Sequence, residues 1–131
     1  MIRVKIEKDS DAVAKIVIVD NKNRVLLLKR SNYHKKFAGE LDLPGGHLKM
    51  NEPLLKGLQR EVQEETGLEI NNATLYKQKK NKSYFYANYD SQPIKLSREH
   101  TDYAFYSKDQ LDTSKKFEKI AYEVLEMLEN D

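Results

Sequence analysis

Residues 45–68 read GGHLKMNEPLLKGLQREVQEETGL, from Gly45 to Leu68. Asn51 carries N-cap chemistry, Glu52 falls in a first turn, Pro53 is tolerated there and Gly67 suits a C′ position, so the stretch predicts a helix from Asn51 to just before Gly67. At 100° per residue Leu54, Leu55, Leu58 and Val62 fall in one apolar sector about 100° wide. Glu61, Glu64 and Glu65 are expected on an adjacent sector, because offsets of three and four residues share a face. Carboxylates so placed repel one another by about a few tenths of a kcal/mol per pair. A helix that accepts this is stabilised when cations bind. Oxygen-only ligands with neither His nor Cys suit hard cations, Mg²⁺ or Mn²⁺ rather than zinc. Mg²⁺ also keeps several waters and shares substrate phosphates, which points to a phosphorylated substrate. Taken alone, Arg60 to Glu65 (REVQEE) reads first as a solvated acidic face; Pro44-Gly45-Gly46 changes that, by setting bare backbone before the helix where amides and carbonyls approach a metal or phosphate closely.

Outward from this segment the chain alternates strands and helices. Ile2 to Lys8 predicts an edge strand by its apolar/charged alternation, and Ala12 to Val19 (AVAKIVIV) a central strand by its dense apolar run. Asp20 to Asn23 is a turn, after which Val25 to Leu28 completes a hairpin. Ser31 to Gly39 reads as a loop, and Glu40 to Leu43 as a brief extended piece stopped by Pro44-Gly45-Gly46. Ala73 to Lys79, Ser83 to Tyr89 and Tyr103 to Tyr106 predict further strands. Lys115 to Leu128 places Phe117, Ile120, Ala121, Val124, Leu125 and Leu128 at helical spacing. The expected class is α/β (α+β), with helices covering a mixed sheet.

A chain of 131 residues suits one domain spanning 1–131. Its net charge of +2 argues against a dedicated nucleic-acid surface. With no cysteine, a disulfide scaffold, a thiolate zinc site and a cysteine nucleophile are excluded. The N-terminus lacks a signal-peptide core and no run is long enough for a membrane span, so the expected location is cytoplasmic.

Gly46, Glu52, Arg60, Glu61, Val62, Glu64, Glu65, Gly67 and Leu68 match every defined position of the Nudix box, Gly-x5-Glu-x7-Arg-Glu-U-x-Glu-Glu-x-Gly-U with U aliphatic. The chain thus resembles the Nudix hydrolase family, and its flanks do too: a hairpin and Leu-Pro-Gly-Gly before the box, Glu99 to Tyr103 after it. The resemblance implies an α/β/α sandwich with a mixed sheet between helices and the box as loop–helix–loop. It implies metal-ligand roles for Glu61, Glu64 and Glu65, with a backbone ligand from Gly45 or Gly46. Arg60 resembles the arginine that orients a catalytic glutamate, and Glu52 the glutamate at the helix start. The implied reaction is metal-assisted attack of water on a phosphorus of a diphosphate, with Mg²⁺ (or Mn²⁺) lowering the water's pKa. Gly57 departs locally, since many members carry alanine there; it suits closer helix–sheet packing.

Outside the box, Arg30 is expected to face the substrate phosphates, with a plain strand-end charge as the alternative. Glu99 is expected to serve as an extra ligand or general base, with a solvated loop charge as the alternative. His100 is expected to be structural or exposed. Lys77 to Lys82 forms a basic turn, either solvated or steering a polyanion. Among Tyr84, Phe85, Tyr86 and Tyr89, core packing is the main expectation, with Tyr84 the ring offered for stacking on a base. The partner is expected to be a nucleotide-derived small molecule, the assembly a monomer or homodimer. Loops decide substrate in this family. Ser83 stands near the place where ADP-ribose hydrolases carry a proline, while Tyr84 and Tyr86 lie near a tyrosine associated with dinucleoside polyphosphate hydrolases. Three readings stay open: hydrolysis of a nucleoside diphosphate derivative, pyrophosphohydrolysis of a (d)NTP for nucleotide-pool sanitation, and nucleotide binding without turnover.

Overall fold

The computed structural model describes residues 9–32 and 37–130, so the expected strand Ile2 to Lys8 lies outside the described residues. The hairpin forms as expected, from β1 (Asp9–Val19) and β2 (Val25–Arg30). Each contributes a near-continuous apolar run because it is covered on both faces. Alternate residues go to opposite sides: Ile16, Ile18, Leu26 and Leu28 enter one core, Val17, Val19, Val25 and Leu27 the other. Helix α1 (Leu54–Thr66) closes the first core with Leu58 and Val62. Helix α2 (Lys116–Glu129) closes the second with Ile120, Ala121, Val124 and Leu125. The result is the expected α/β/α layering.

The strands β3 (Leu41–Asp42) and β4 (Gly45–Lys49) account for the shape of the site. β1 and β2 pair only near their turn, at Val19 and Val25. Beyond that they part, and the 41–49 segment fills the gap: Asp42 pairs with Leu28 of β2, while Gly45 pairs with Lys15 of β1. The amide of Ile16 donates to the Pro44 carbonyl at 2.9 Å, at the apex of this wedge. Pro44-Gly45-Gly46 therefore does not stop the extended piece, as the sequence suggested; it turns the chain from one strand into the next. Gly45 makes this possible. Its φ is +121°, and a Cβ there would overlap the Ala14 carbonyl oxygen and lie 2.8 Å from Lys15 Cα.

On the far side of β1, β6 (Lys82–Asn88) runs parallel to it, with β5 (Thr74–Lys79) antiparallel outside. β7 (His100–Tyr106) pairs with the free side of β2. The sheet is thus mixed, in the order β3-β2-β1-β6-β5 with β4 on β1 and β7 on β2.

Two local readings of α1 need correction. Asn51 does not cap it: the helix starts at Leu54 after Pro53, and Asn51 takes φ 64° within the preceding turn. The apolar face is also rotated from the expected one. Leu55 is 42% exposed, while Glu65 is only 3% exposed. Eleven residues from Leu54 amount to three turns and about 20°, so Glu65 projects between Leu54 and Leu58 and not beside them. Gly57 faces β4, where a Cβ would overlap the Leu48 side chain and come within 2.9 Å of Glu52 Oε1. Gly67 ends the helix as expected, with φ 76° and its amide donating to Gln63.

The two glycines that frame α1 are expected to differ in cost. Gly67→Ala meets only side-chain and backbone atoms of Lys95 at 3.9 Å, so it should lose about 1 kcal/mol from the left-handed backbone alone. Gly45→Ala adds a backbone collision and should lose about 2–3 kcal/mol. Denaturant unfolding of both variants checks this, and equal losses would remove Gly45 as the pivot of the wedge.

Candidate metal and catalytic site

The wedge brings the backbone of Gly45 and Gly46 against the acidic side of α1. Glu65 Oε2 accepts from the Gly45 amide at 3.1 Å. Glu61 Oε2 would lie 2.7 Å from a Cβ at Gly46, so the missing side chain is what admits the Glu61 carboxylate. Glu64, with its side chain 59% exposed, stands at the rim.

Arg60 ties these groups to the helix start. Its Nε donates to Glu52 Oε2 at 2.8 Å and its Nη2 to Glu52 Oε1 at 3.0 Å, a forked pair of charge-assisted bonds. Nη1 donates to Glu61 Oε1 at 3.0 Å and to Glu64 Oε2 at 3.2 Å. Nη2 also reaches the His47 carbonyl at 3.2 Å, which links α1 to β4. Glu52 receives in addition the Lys49 amide at 2.9 Å. The hydrogen bonds from Arg60 hold the Glu52 carboxyl down at about 2, so it stays ionised.

The other two inward carboxyls are perturbed in the opposite direction. Burial pushes Glu65 up to about 9, against the pull of Lys15 and with Asp42 and Glu61 adding to it. Burial also raises Glu61, opposed by Arg60 and reinforced by the charges of Glu64 and Glu99. A buried carboxyl with too little positive charge beside it either takes a proton or binds a cation. Each of these glutamates has one oxygen engaged by a protein donor; the second faces the Gly46 backbone in Glu61 and the His100 ring in Glu65. Oxygen donors of this kind fit a hard divalent cation.

A second buried cluster lies beside them, and sequence reasoning missed it. Asp42, on β3, accepts from Lys15 Nζ at 2.8 Å and from Arg30 Nη1 at 3.0 Å, and its Oδ2 lies 3.1 Å from His100 Nε2. Burial would raise the Asp42 carboxyl, but bonds with His100 and Lys15 outweigh it and hold it at about 2. His100 Nδ1 faces Glu65 Oε1 at 3.9 Å. Asp42, Glu65 and His100 could by spacing alone hold an ion, since their ligand atoms lie within 4.8 Å of one another. The positive charge already on Asp42 disfavours that. A divalent ion there would sit against the Lys15 ammonium and the Arg30 guanidinium, so the cluster is better read as an ion-pair network that braces the wedge. No motif announced it. The one legible signal was Lys15, a charge inside the apolar run of β1.

Asp42, Lys15 and His100 line one cavity of about 960 Å³ with Glu61 and Glu65, while Glu52, Arg60 and Glu64 are not among its lining residues. Glu61, Glu65, Glu99, Gly45 and Gly46 meet there, and Arg30 lines it while bound to Asp42. His100 is buried, within the structural reading expected for it. Tyr84 is not among the lining residues. At 4% exposure it packs with Val17, Ile120 and Val124 on the α2 side, because Lys15, its β1 partner, shares that face. Its ring offers no open face to a base, which corrects the stacking role expected of it.

A model of the NUDIX domain matches residues 9–128. An ADP-ribose pyrophosphatase of Methanocaldococcus jannaschii is 42% identical over 57 residues, which are 44% of this chain. The match spans 32% of that curated relative's length. Among solved structures, a MutT protein from Methanosarcina mazei superposes with a TM-score of 0.71 at 26% identity, over 97% of this chain and 100% of that one. An Ap4A hydrolase from C. elegans shares the fold, with a TM-score of 0.66 at 20% identity over 90% of this chain and 96% of that one. The match over residues 9–128 covers the wedge, the glutamate helix and both cores, and the chain belongs to the Nudix hydrolase family.

Proposed function

We propose that this chain hydrolyses a phosphoanhydride bond in a nucleoside diphosphate linked to another moiety, using Mg²⁺, for which Mn²⁺ can substitute. The observation that carries this is Glu65. A carboxyl buried at 3% exposure, one hydrogen bond from the Gly45 amide and beside a second raised carboxyl, is matched by a divalent cation. Glu61, Glu64 and Glu65 would hold the metal, with a carbonyl of Gly45 or Gly46. When bound, the metal neutralises phosphate charge and lowers the pKa of an attacking water.

The chain's own residues do the rest. Arg60 fixes Glu61 and Glu64 and is itself fixed by Glu52, so the carboxylates are oriented before substrate arrives. Glu99 shares the cavity with Glu61, on the 95–99 segment that is bonded to the end of α1, and is the group we assign to take the water's proton. Arg30, held by Asp42, presents its guanidinium to the phosphates. The ADP-ribose pyrophosphatase relative favours a diphosphate joined to a second moiety. The second reading, (d)NTP pyrophosphohydrolysis, would use the same glutamates and the same cavity. Binding without turnover is the weakest, because it leaves three clustered glutamates without a use. The partner is a small nucleotide derivative, and we place the protein in the cytoplasm as a monomer or homodimer; among the described residues no helix is long and apolar enough to cross a membrane.

A screen of nucleotide substrates with Mg²⁺ or Mn²⁺, with products weighed by mass spectrometry, tests the reaction class. Cleavage at an anhydride is expected. Failure on every nucleoside diphosphate derivative, with turnover of a (d)NTP, would hand the site to the second reading. Glu64→Gln is expected to lower kcat by about 10²-fold or more with the fold intact, because it removes a metal ligand and keeps the side chain's shape. Near-normal turnover at limiting Mg²⁺ would oppose that role.

Glu65→Gln separates the metal account from a structural one through its pH dependence. The folded carboxyl is raised to about 9, so between about 4.5 and 9 the folded chain holds a proton that the unfolded chain releases. Stability without metal therefore falls as pH rises through that window. In EDTA, Glu65→Gln should match the parent near pH 4.5 and exceed its Tm at pH 8. Saturating Mg²⁺ at pH 8 should raise the parent's Tm and leave the variant's nearly unchanged. A parent more stable than the variant in EDTA at pH 8 would contradict this.

A further inference from the structure

The α2 side of the cavity brings lysines to it, Lys82, Lys115 and Lys116, beside the carboxylates of Glu40 and Glu118; Glu118 is engaged by the Asp112 amide at 3.1 Å. The register Val13 to Lys82 and Lys15 to Tyr84 puts Lys82 on the same face of the sheet as Lys15. Lys116, the first residue of α2, meets it there, and both line the cavity together with Phe117. The Phe117 ring is in contact with two ammonium groups, its centroid 4.9 Å from Lys15 Nζ and 5.6 Å from Lys116 Nζ.

The lysines of this cavity differ in what balances them. Lys15 is held by Asp42 at 2.8 Å, and Lys115 by Glu40 at 3.4 Å. Among the described residues no carboxylate is in ion-pair range of Lys82 or Lys116. Lys82 is instead the neighbour that, ahead of burial, pulls Lys116 down to about 8, and both line the one cavity. Ordinary surface lysines swing apart into solvent. Here Lys82 and Lys116 line one cavity as neighbours.

We propose that Lys82 and Lys116 form an anion subsite that takes a phosphomonoester carried by the substrate at a point remote from the cleaved anhydride. A phosphomonoester is a dianion with three terminal oxygens, so it can accept from both ammonium groups and cancel both charges. A diester cancels only one, and a sugar hydroxyl cancels neither. The subsite rests on the hydrolase reading and sorts substrates within it: compounds with an extra terminal phosphate should bind more tightly than those ending in a hydroxyl. It also separates Lys82 from the rest of the basic 77–82 turn, whose Lys77 is engaged by Glu123 at 3.7 Å.

Phenyl phosphate and dimethyl phosphate test the subsite directly, by isothermal titration of the full chain in EDTA. Phenyl phosphate should bind the parent measurably, and dimethyl phosphate should not. Lys116→Gln and Lys82→Gln should each weaken phenyl phosphate by about fivefold or more. Lys116 is exposed, so its variant remains informative should Lys82→Gln fail to fold. The proposal is overturned by an absence of binding to the parent, by equal binding to Lys116→Gln, or by a loss confined to Arg30→Gln. The assay uses neither metal nor turnover. Glu64→Gln should therefore retain phenyl phosphate, and a protein that hydrolyses nothing while passing this test would fail the hydrolase reading alone.

Discussion

A glutamate occupies the place on α1 where packing asks for a leucine. Glu65 projects between Leu54 and Leu58, and the fold meets its carboxylate with the Gly45 amide at 3.1 Å and the His100 ring at 3.9 Å. Much of the architecture follows from that. For the Gly45 amide to be there, β1 and β2 have to part and admit the 41–49 segment. For that segment to turn without a collision, its pivot has to be glycine, and the next residue has to be glycine to make room for Glu61. The two cores then hold the wedge from both sides, through Leu48 on the α1 side and Leu43 on the α2 side.

Charge is arranged around this constraint in two sets. Arg60 gathers Glu52, Glu61 and Glu64, and its forked bond to Glu52 makes α1 and the turn before it one rigid piece. Asp42 gathers Lys15, Arg30 and His100 and anchors the wedge to both flanking strands. The first set leaves negative charge facing the cavity. The second sets one carboxylate against two fixed cations, and with Lys82 and Lys116 it brings positive charge to the same cavity. A diphosphate bridged to metal on one side and met by cations on the other is the ligand such a field suits.

The fold was legible because its signals were periodic. The hairpin, the glutamate helix and α2 each carried enough apolar residues at one spacing to outweigh local detail. β4 was not legible, since Pro44-Gly45-Gly46 is turn chemistry by any local rule and only the gap between β1 and β2 draws Gly45–Lys49 into a strand. The cap failed for a similar reason: Asn51 has the right side chain but is spent on a left-handed turn. Among site residues, spacing brought Glu61 and Glu64 into view, and the resemblance to the Nudix box added Arg60 and Glu52. Spacing also set Glu65 a sector away from where it lies, since grouping by offsets of three and four overlooks which side of the helix is buried. Asp42 was invisible because its partners come from Lys15, Arg30 and His100, far apart in the chain. Tyr84 was misjudged because a strand with many tyrosines does not say which of them α2 will cover.

Binding of Mn²⁺, followed by the loss of its free electron paramagnetic signal, tests the central claim most directly, because two clusters compete for the metal and share only Glu65. If the cation sits on α1, Glu61→Gln should weaken Mn²⁺ by about tenfold or more, while His100→Asn should leave it nearly unchanged. Retention in Glu61→Gln with loss in His100→Asn would move the metal to the Asp42 cluster and contradict the account.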